Sequence, residues 1–316
     1  MRVLVKEQPK QLVMRDIPAP RPNGEDVIIK VSRVGICGSD VHMWATDDRI
    51  GLIMGHEFCG VVTDPGSNTS LKTGDRVVVY PQGRGVFVDL PGAYADYFAA
   101  KPGNVLKLPD SIDDDTAAMI EPASVALRAF HFTEAKINEK VLITGAGLIG
   151  LLMAEWLRLA GVDYIAMTEV NKSRIEYARS LNLVDDVFDA KDDQLVEKLQ
   201  AVAEGGFDKV VECTGQGSAL ALSLDAVKKG GRIMYVGIDY KPFPFYSRPL
   251  VANEISLVGS YGSGIPVFQE CIHHLAKQRI NIAKYVTSHI NLEQVQEKIA
   301  EIASGQSTEI KSIVVI

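Results

Sequence analysis

The sequence predicts an α/β fold in which a β-rich domain is followed by a doubly wound parallel sheet. Two observations carry this expectation. Up to about residue 122 the chain is dominated by strand-like runs such as DVIIKVSRVGI, CGVVTD and DRVVVY, broken by Gly, Pro, Asn and Asp. Beyond that point strand and helix patterns alternate: KVLITGAG then LIGLLMAEWLRLAG, YIAMTEV then KSRIEYARSLN, KVVECTG then SALALSLDAVKKGG, and RIMYVGID. A parallel sheet covered by helices on both faces requires this alternation. The expected division is residues 1–123, 124–265 and 266–316. The last part holds helical stretches near 266–278 and 292–304 and an apolar strand, SIVVI, that returns to the first domain.

Composition narrows the function. At 316 residues, 47% hydrophobic and 23% charged, the chain is long enough for two ordinary domains with real cores. A formal charge of −7 and the lack of any Lys/Arg cluster argue against a nucleic-acid partner and favour a small molecule. No apolar run is long enough to span a membrane, and the N-terminus lacks a signal-peptide pattern, so a cytoplasmic location is expected. The four cysteines form no CxxC pair, which points to thiols, ligands or core residues and away from a disulfide framework.

Taken in order, MRVLVKEQPKQLVMRD alternates apolar and polar residues like a first strand. GICGSDVHMW then places Cys37, Ser39 and His42 in one turn-like run. GHEFCG adds His56 and Glu57 on a second turn, and MIEPASVAL adds Glu121 just before a helix. A thiolate, an imidazole and one or two carboxylates form a mixed donor set suited to a catalytic zinc, which takes three protein ligands and leaves one position open. Trp44 reads equally as pocket lining or packing. Asp47, Asp48 and Arg49 read as a solvated loop, with hydrogen bonding to a polyhydroxyl chain as the alternative. Cys59, Cys213 and Cys271 lie in apolar contexts and read as packing residues. His273 and His274 fall in an expected helix without a ligand-like partner at i+4 and read as surface or interdomain residues, and His131 and His289 read as structural.

In the second half, VLITGAGLIG presents Gly145, Gly147 and Gly150 between a buried-type strand and a helix, with Leu148 and Ile149 opening that helix. The three glycines allow a tight turn, a close approach to a pyrophosphate and close packing of helix on strand, and the anion rests on the helix N-terminus. Glu169 ends the next strand, where a carboxylate accepts hydrogen bonds from ribose hydroxyls and repels a 2′-phosphate. That favours NAD over NADP; Arg174 is a second candidate contact, to ribose or phosphate.

Together GICGSDVHMW, GHEFCGVV, GDRVVV, AAMIEPASVALRA, VLITGAGLIG, TEVNKSRIEYAR and VVECTG resemble the zinc-dependent medium-chain dehydrogenase/reductase family, in its sorbitol and polyol dehydrogenase branch. The resemblance implies a GroES-like β-rich catalytic domain, a Rossmann NAD-binding domain and C-terminal segments that rejoin the first. It implies one catalytic zinc on Cys37 and His56 with Glu57 or Glu121, a substrate contact at Ser39, a proton relay through His42, a cofactor contact at Thr214, and a homo-oligomer, dimer or tetramer. Relatives insert a four-cysteine lobe after GDRV; VVVYPQGRGVFVDLPGAYADYF crosses that place without a cysteine, so no structural zinc is expected. The implied reaction passes hydride from a secondary alcohol, first a polyol or sugar alcohol, to NAD. The alternatives are a 3-hydroxy amino acid such as threonine, a simple secondary alcohol, or a catalytically silent NAD-binding sensor on the same scaffold.

Overall fold

The computed structural model describes residues 1–47, 49–81, 91–239 and 242–316. The chain divides into two compact units, Met1–Pro122 with Gly264–Ile316, and Ala123–Ser263. Residue 48 and the segment 82–90, on which the expectation of no structural zinc in part falls, lie outside the described residues. Among the described residues no helix is long and apolar enough to cross a membrane.

The first unit opens with a hairpin, β1 (Arg2–Gln8) and β2 (Gln11–Asp16), where the sequence suggested a single strand. The reversal is made at Lys10, whose φ of +63° turns the chain back within two residues. The strands that follow are β3 (Val27–Gly35), β4 (Glu57–Asp64), β5 (Arg76–Val79), β6 (Tyr97–Ala100) and β7 (Val105–Lys107). Alternation along β3 buries Val27, Ile29 and Val31 against Phe58, Val62, Val77 and Phe98.

The second unit holds β8 (Lys140–Thr144), β9 (Tyr164–Glu169), β10 (Asp186–Asp189), β11 (Phe207–Glu212), β12 (Val227–Tyr235) and β13 (Ser256–Gly259). They form a wholly parallel sheet in the order β10-β9-β8-β11-β12-β13. The order reverses between β8 and β11, the switch point at which such sheets bind ligands beyond the carboxyl ends of their strands.

The chain then supplies a helix, Ile265–Ala276, β14 (Val286–Asn291), a helix, Val295–Ala303, and β15 (Lys311–Val315). The first unit's main sheet runs β14-β15-β3-β4-β5-β7, with β6 also on β3. Beside β3, the last strand sets Ile313 opposite Gly35, while Gly35 faces Glu57 across the β3–β4 pair. The missing side chain at Gly35 leaves a notch: a Cβ there would stand 2.7 Å from Cε of Lys311 and would overlap the Glu57 carboxylate. In that notch the Lys311 ammonium, on a residue 3% exposed, pairs with Glu57, 1% exposed, and donates to the Ile36 carbonyl at 2.8 Å.

Removing one partner of such a pair strands a buried charge. Lys311→Met is therefore expected to destabilise the metal-free protein by about 3–5 kcal/mol, read from its chemical unfolding midpoint. Lys311→Met combined with Glu57→Gln should cost clearly less than the sum of the two single changes. Additive losses would show that the pair is not the coupled unit described.

Candidate metal and dinucleotide sites

The first site grows from the end of β3. Ile36 N–H donates to the Ser312 carbonyl, and Cys37 follows as the N-cap of a helix, Gly38–Ala45, where the sequence suggested a turn. The helix starts there because Asp40, at its third position, accepts the Cys37 N–H at 2.9 Å, half of a capping box. Helical spacing then sorts the side chains. Asp40 and Trp44, four apart, are buried, while Ser39 and His42, three apart, share another face and are partly exposed. Trp44 donates its indole N–H to Gln296 at 3.1 Å, which makes it a packing residue. Asp47 and Arg49 are exposed.

His56 immediately precedes β4 and Glu57 begins it. One ligand atom each from Cys37, His56 and Glu57 lies within 4.8 Å of the others, and among the described residues these are the His, Cys, Asp and Glu side chains grouped closely enough to hold a metal ion. Glu121 sits in the first turn of the helix Ile120–Thr133, inside it and not before it as the sequence suggested. Burial pushes its carboxyl up to about 7, with His56 and Lys311 pulling down and Glu57 and Asp40 pushing up. Glu121 thus belongs to the same electrostatic cluster without joining the three-residue group.

Burial works against the charged form of His56, yet the neighbouring Asp40 and Cys37 side chains prevail and hold its pKa well above the ordinary value. A thiol, an imidazole and three carboxyls are gathered around one lysine, Lys311. Such a pocket draws positive charge, and sulfur, nitrogen and oxygen donors in this number suit a divalent zinc with an open position. The residues present fit the metal.

The second site lies in the second unit. β8 ends at Thr144 and the chain turns at Gly145, whose φ of +99° a side chain would strain. Gly147 caps the helix Leu148–Leu159, and a Cβ built on it meets nothing within 4 Å, so a ligand has room to approach. At Gly150 a Cβ would strike the Gly145 carbonyl, so only glycine lets the helix sit this close to the turn. Leu148 and Ile149 open the helix, where backbone N–H groups lack intrahelical partners and favour an anion.

Glu169 ends β9 and reaches back to this loop. One carboxylate oxygen accepts the Ala146 N–H at 2.9 Å, and the other accepts Val170 N–H and Asn171 N–H at 2.8 and 2.9 Å. Arg174 is half-buried in the first turn of Lys172–Ser180, which Asn171 caps. Thr214 follows β11 across the switch point and lies beside Gly145, since a Cβ there would stand 2.8 Å from the Thr214 methyl. The Glu212 carboxylate, fully buried, accepts from the Thr214 N–H at 2.7 Å, the Thr214 hydroxyl and the Gly215 N–H at 3.1 Å. Burial raises its pKa against those hydrogen bonds.

Sequence reasoning passed over Asp40, Tyr94, Glu212 and Lys311. For Glu212 a signal existed, a lone acid inside the apolar run KVVECTG. Lys311 offered none. Cys59 and Cys271 are buried thiols whose pKa burial raises, Cys213 is likewise raised by burial, and none of the three joins the Cys37–His56–Glu57 group. His289 pairs with Asp115 at 2.7 Å, also away from it.

Residues 23–110 match the alcohol dehydrogenase GroES-like domain, and residues 149–277 match the zinc-binding dehydrogenase domain. The chain is 31% identical to an L-threonine 3-dehydrogenase of Chelativorans sp. (strain BNC1) over 97% of both proteins. Among solved structures it superposes on the 2R,3R-butanediol dehydrogenase of Bacillus subtilis with a TM-score of 0.89 at 26% identity. That match covers 100% of this chain and 99% of the other. The alcohol dehydrogenase of Thermus sp. ATN1 matches with a TM-score of 0.90 at 25% identity and the same coverage. The chain belongs to the zinc-type medium-chain dehydrogenase/reductase family.

Proposed function

We propose that the protein oxidises a secondary alcohol of a small polar molecule to the ketone, passing hydride to NAD. The observation that carries this reading is the grouping of Cys37, His56 and Glu57 in a chain whose other unit carries a glycine loop opening onto a helix N-terminus. When bound, zinc supplies Lewis acidity that makes an alcohol proton easier to remove. Cys37 and His56 hold the metal in this reading, with Glu57 the carboxylate ligand and Glu121 its alternate. Ser39 orients the substrate hydroxyl. His42, one helical turn away on the same face, takes up the proton, a task suited to an imidazole near neutral pH. Glu212 shapes the Thr214 loop, and Gly145, Gly147, Leu148, Ile149 and Gly150 receive the pyrophosphate.

For the substrate, the relatives support a 3-hydroxy amino acid, with L-threonine as the first candidate, over the polyol that the sequence placed first. A vicinal diol or polyol is the second candidate, supported by the likeness to a butanediol dehydrogenase. NADH formation at 340 nm with L-threonine, 2,3-butanediol and sorbitol, before and after chelation, decides among them. The reading expects chelator-sensitive turnover with L-threonine, and expects Cys37→Ser to lose turnover while keeping NAD affinity. A zinc-replete protein that binds NAD and reduces none of it would favour the silent sensor.

The Glu169 carboxylate supports NAD, because a 2′-phosphate beside it would face an anion. Glu169→Ser is expected to raise the KM for NAD by about tenfold, the worth of one hydrogen bond to a charged group, and to improve use of NADP. An unchanged ratio of kcat/KM for the two cofactors would remove Glu169 from cofactor selection.

A further inference from the structure

We propose that Tyr94 is a positioning residue for the metal centre, acting through Asp40. The inference rests on the reading of Cys37, His56 and Glu57 as metal ligands, and it concerns what holds two of them in place.

Tyr94 is completely buried. Its segment is laid along the chain that leads into His56: Gly92 N–H donates to the Ile53 carbonyl at 2.6 Å, Tyr94 N–H to Met54 at 2.9 Å and Ala93 N–H to Gly55 at 2.8 Å. Two glycines make this approach possible. A Cβ on Gly92 would overlap the Met54 carbonyl, and one on Gly55, whose φ is +91°, would stand 3.0 Å from the Tyr94 ring. The ring therefore lies against backbone one residue before His56, with little freedom to move.

From that seat the phenol O–H donates to Oδ2 of Asp40 at 2.9 Å. The same oxygen accepts the Cys37 N–H, also at 2.9 Å. Oδ1 of Asp40 accepts no hydrogen bond among the described residues and stands 3.8 Å from Nδ1 of His56. The two donors on Oδ2 thus turn the other oxygen toward the imidazole. A carboxylate facing Nδ1 favours the proton on that nitrogen and leaves Nε2 as the ligand. One phenol hydroxyl thereby steadies the backbone of Cys37 and the tautomer of His56, although Tyr94 touches neither the metal position nor the substrate in this reading.

Cobalt(II) replacing zinc tests this without relying on turnover. The readouts are the cobalt absorption bands, the rate of metal loss to a competing chelator, and the melting temperature of the metal-free protein. Tyr94→Phe deletes one oxygen and keeps the ring, and is expected to lower melting by only about 2–4 °C. It should shift the cobalt bands and speed metal loss by about tenfold, the usual scale for partners that orient a ligand. Asp40→Asn should move both metal readouts in the same direction, and adding Tyr94→Phe to it should change little more.

Wild-type bands and release rate in Tyr94→Phe would overturn the proposal, as would a full-sized Tyr94 effect in the Asp40→Asn background. If Tyr94→Phe does not fold, Asp40→Asn alone decides, because unaltered metal readouts there leave Tyr94 nothing to act through. A wild-type protein that takes up no cobalt would overturn the metal reading itself, and this inference with it.

Discussion

The first unit depends on one constraint, a buried ion pair in a notch that glycine keeps open. Glu57 begins β4 and Lys311 begins β15, 254 residues later, and both must fit beside Gly35 on the strand between them. Either charge alone would be costly to bury. Their pairing ties β15 to the strand that carries Glu57 of the candidate metal group. Cys37 emerges two residues after Gly35, and the Ile36 carbonyl that receives the Lys311 ammonium lies between them. The thiol, the carboxylate and the lysine are thus fixed by a single strand crossing.

A related economy governs the second unit. Two buried carboxylates, Glu169 and Glu212, use backbone N–H groups of the loops beyond β8, β9 and β11 to set the shape of the floor on which a dinucleotide would rest. The glycines give the loop its turns, and the carboxylates hold it there. Both acids sit at strand ends around the reversal of strand order, where loops converge at the carboxyl edge of the sheet.

The fold class was legible because its signals are local. The strand-like runs of β3 and β4 and the rhythm of strand, glycine loop and helix after residue 140 can each be read within one window of sequence. Cys37, His56 and Glu57 were singled out as residue types suited to a metal, and the structure brings these three together. What could not be read is what depends on long-range pairing. Nothing near residue 311 announces a buried lysine, and Tyr94 in GAYADYF looks like any strand aromatic until its hydroxyl meets Asp40. Local geometry was also blurred: the GSDVHMW turn is a helix because Asp40 caps it, and the N-terminal strand is a hairpin because Lys10 adopts a positive φ. Trp44 stood between pocket and core, and its bond to Gln296, 252 residues away, assigns it to the core.

X-ray absorption at the zinc edge of the zinc-loaded protein tests the central claim, a mixed-donor site on Cys37, His56 and a carboxylate. The account predicts about one zinc per chain, with a single sulfur at about 2.3 Å and the remaining ligands nitrogen or oxygen at about 2.0–2.2 Å. Two or more sulfur ligands, or none, would contradict it, because among the described residues Cys37 is the one thiol in this cluster.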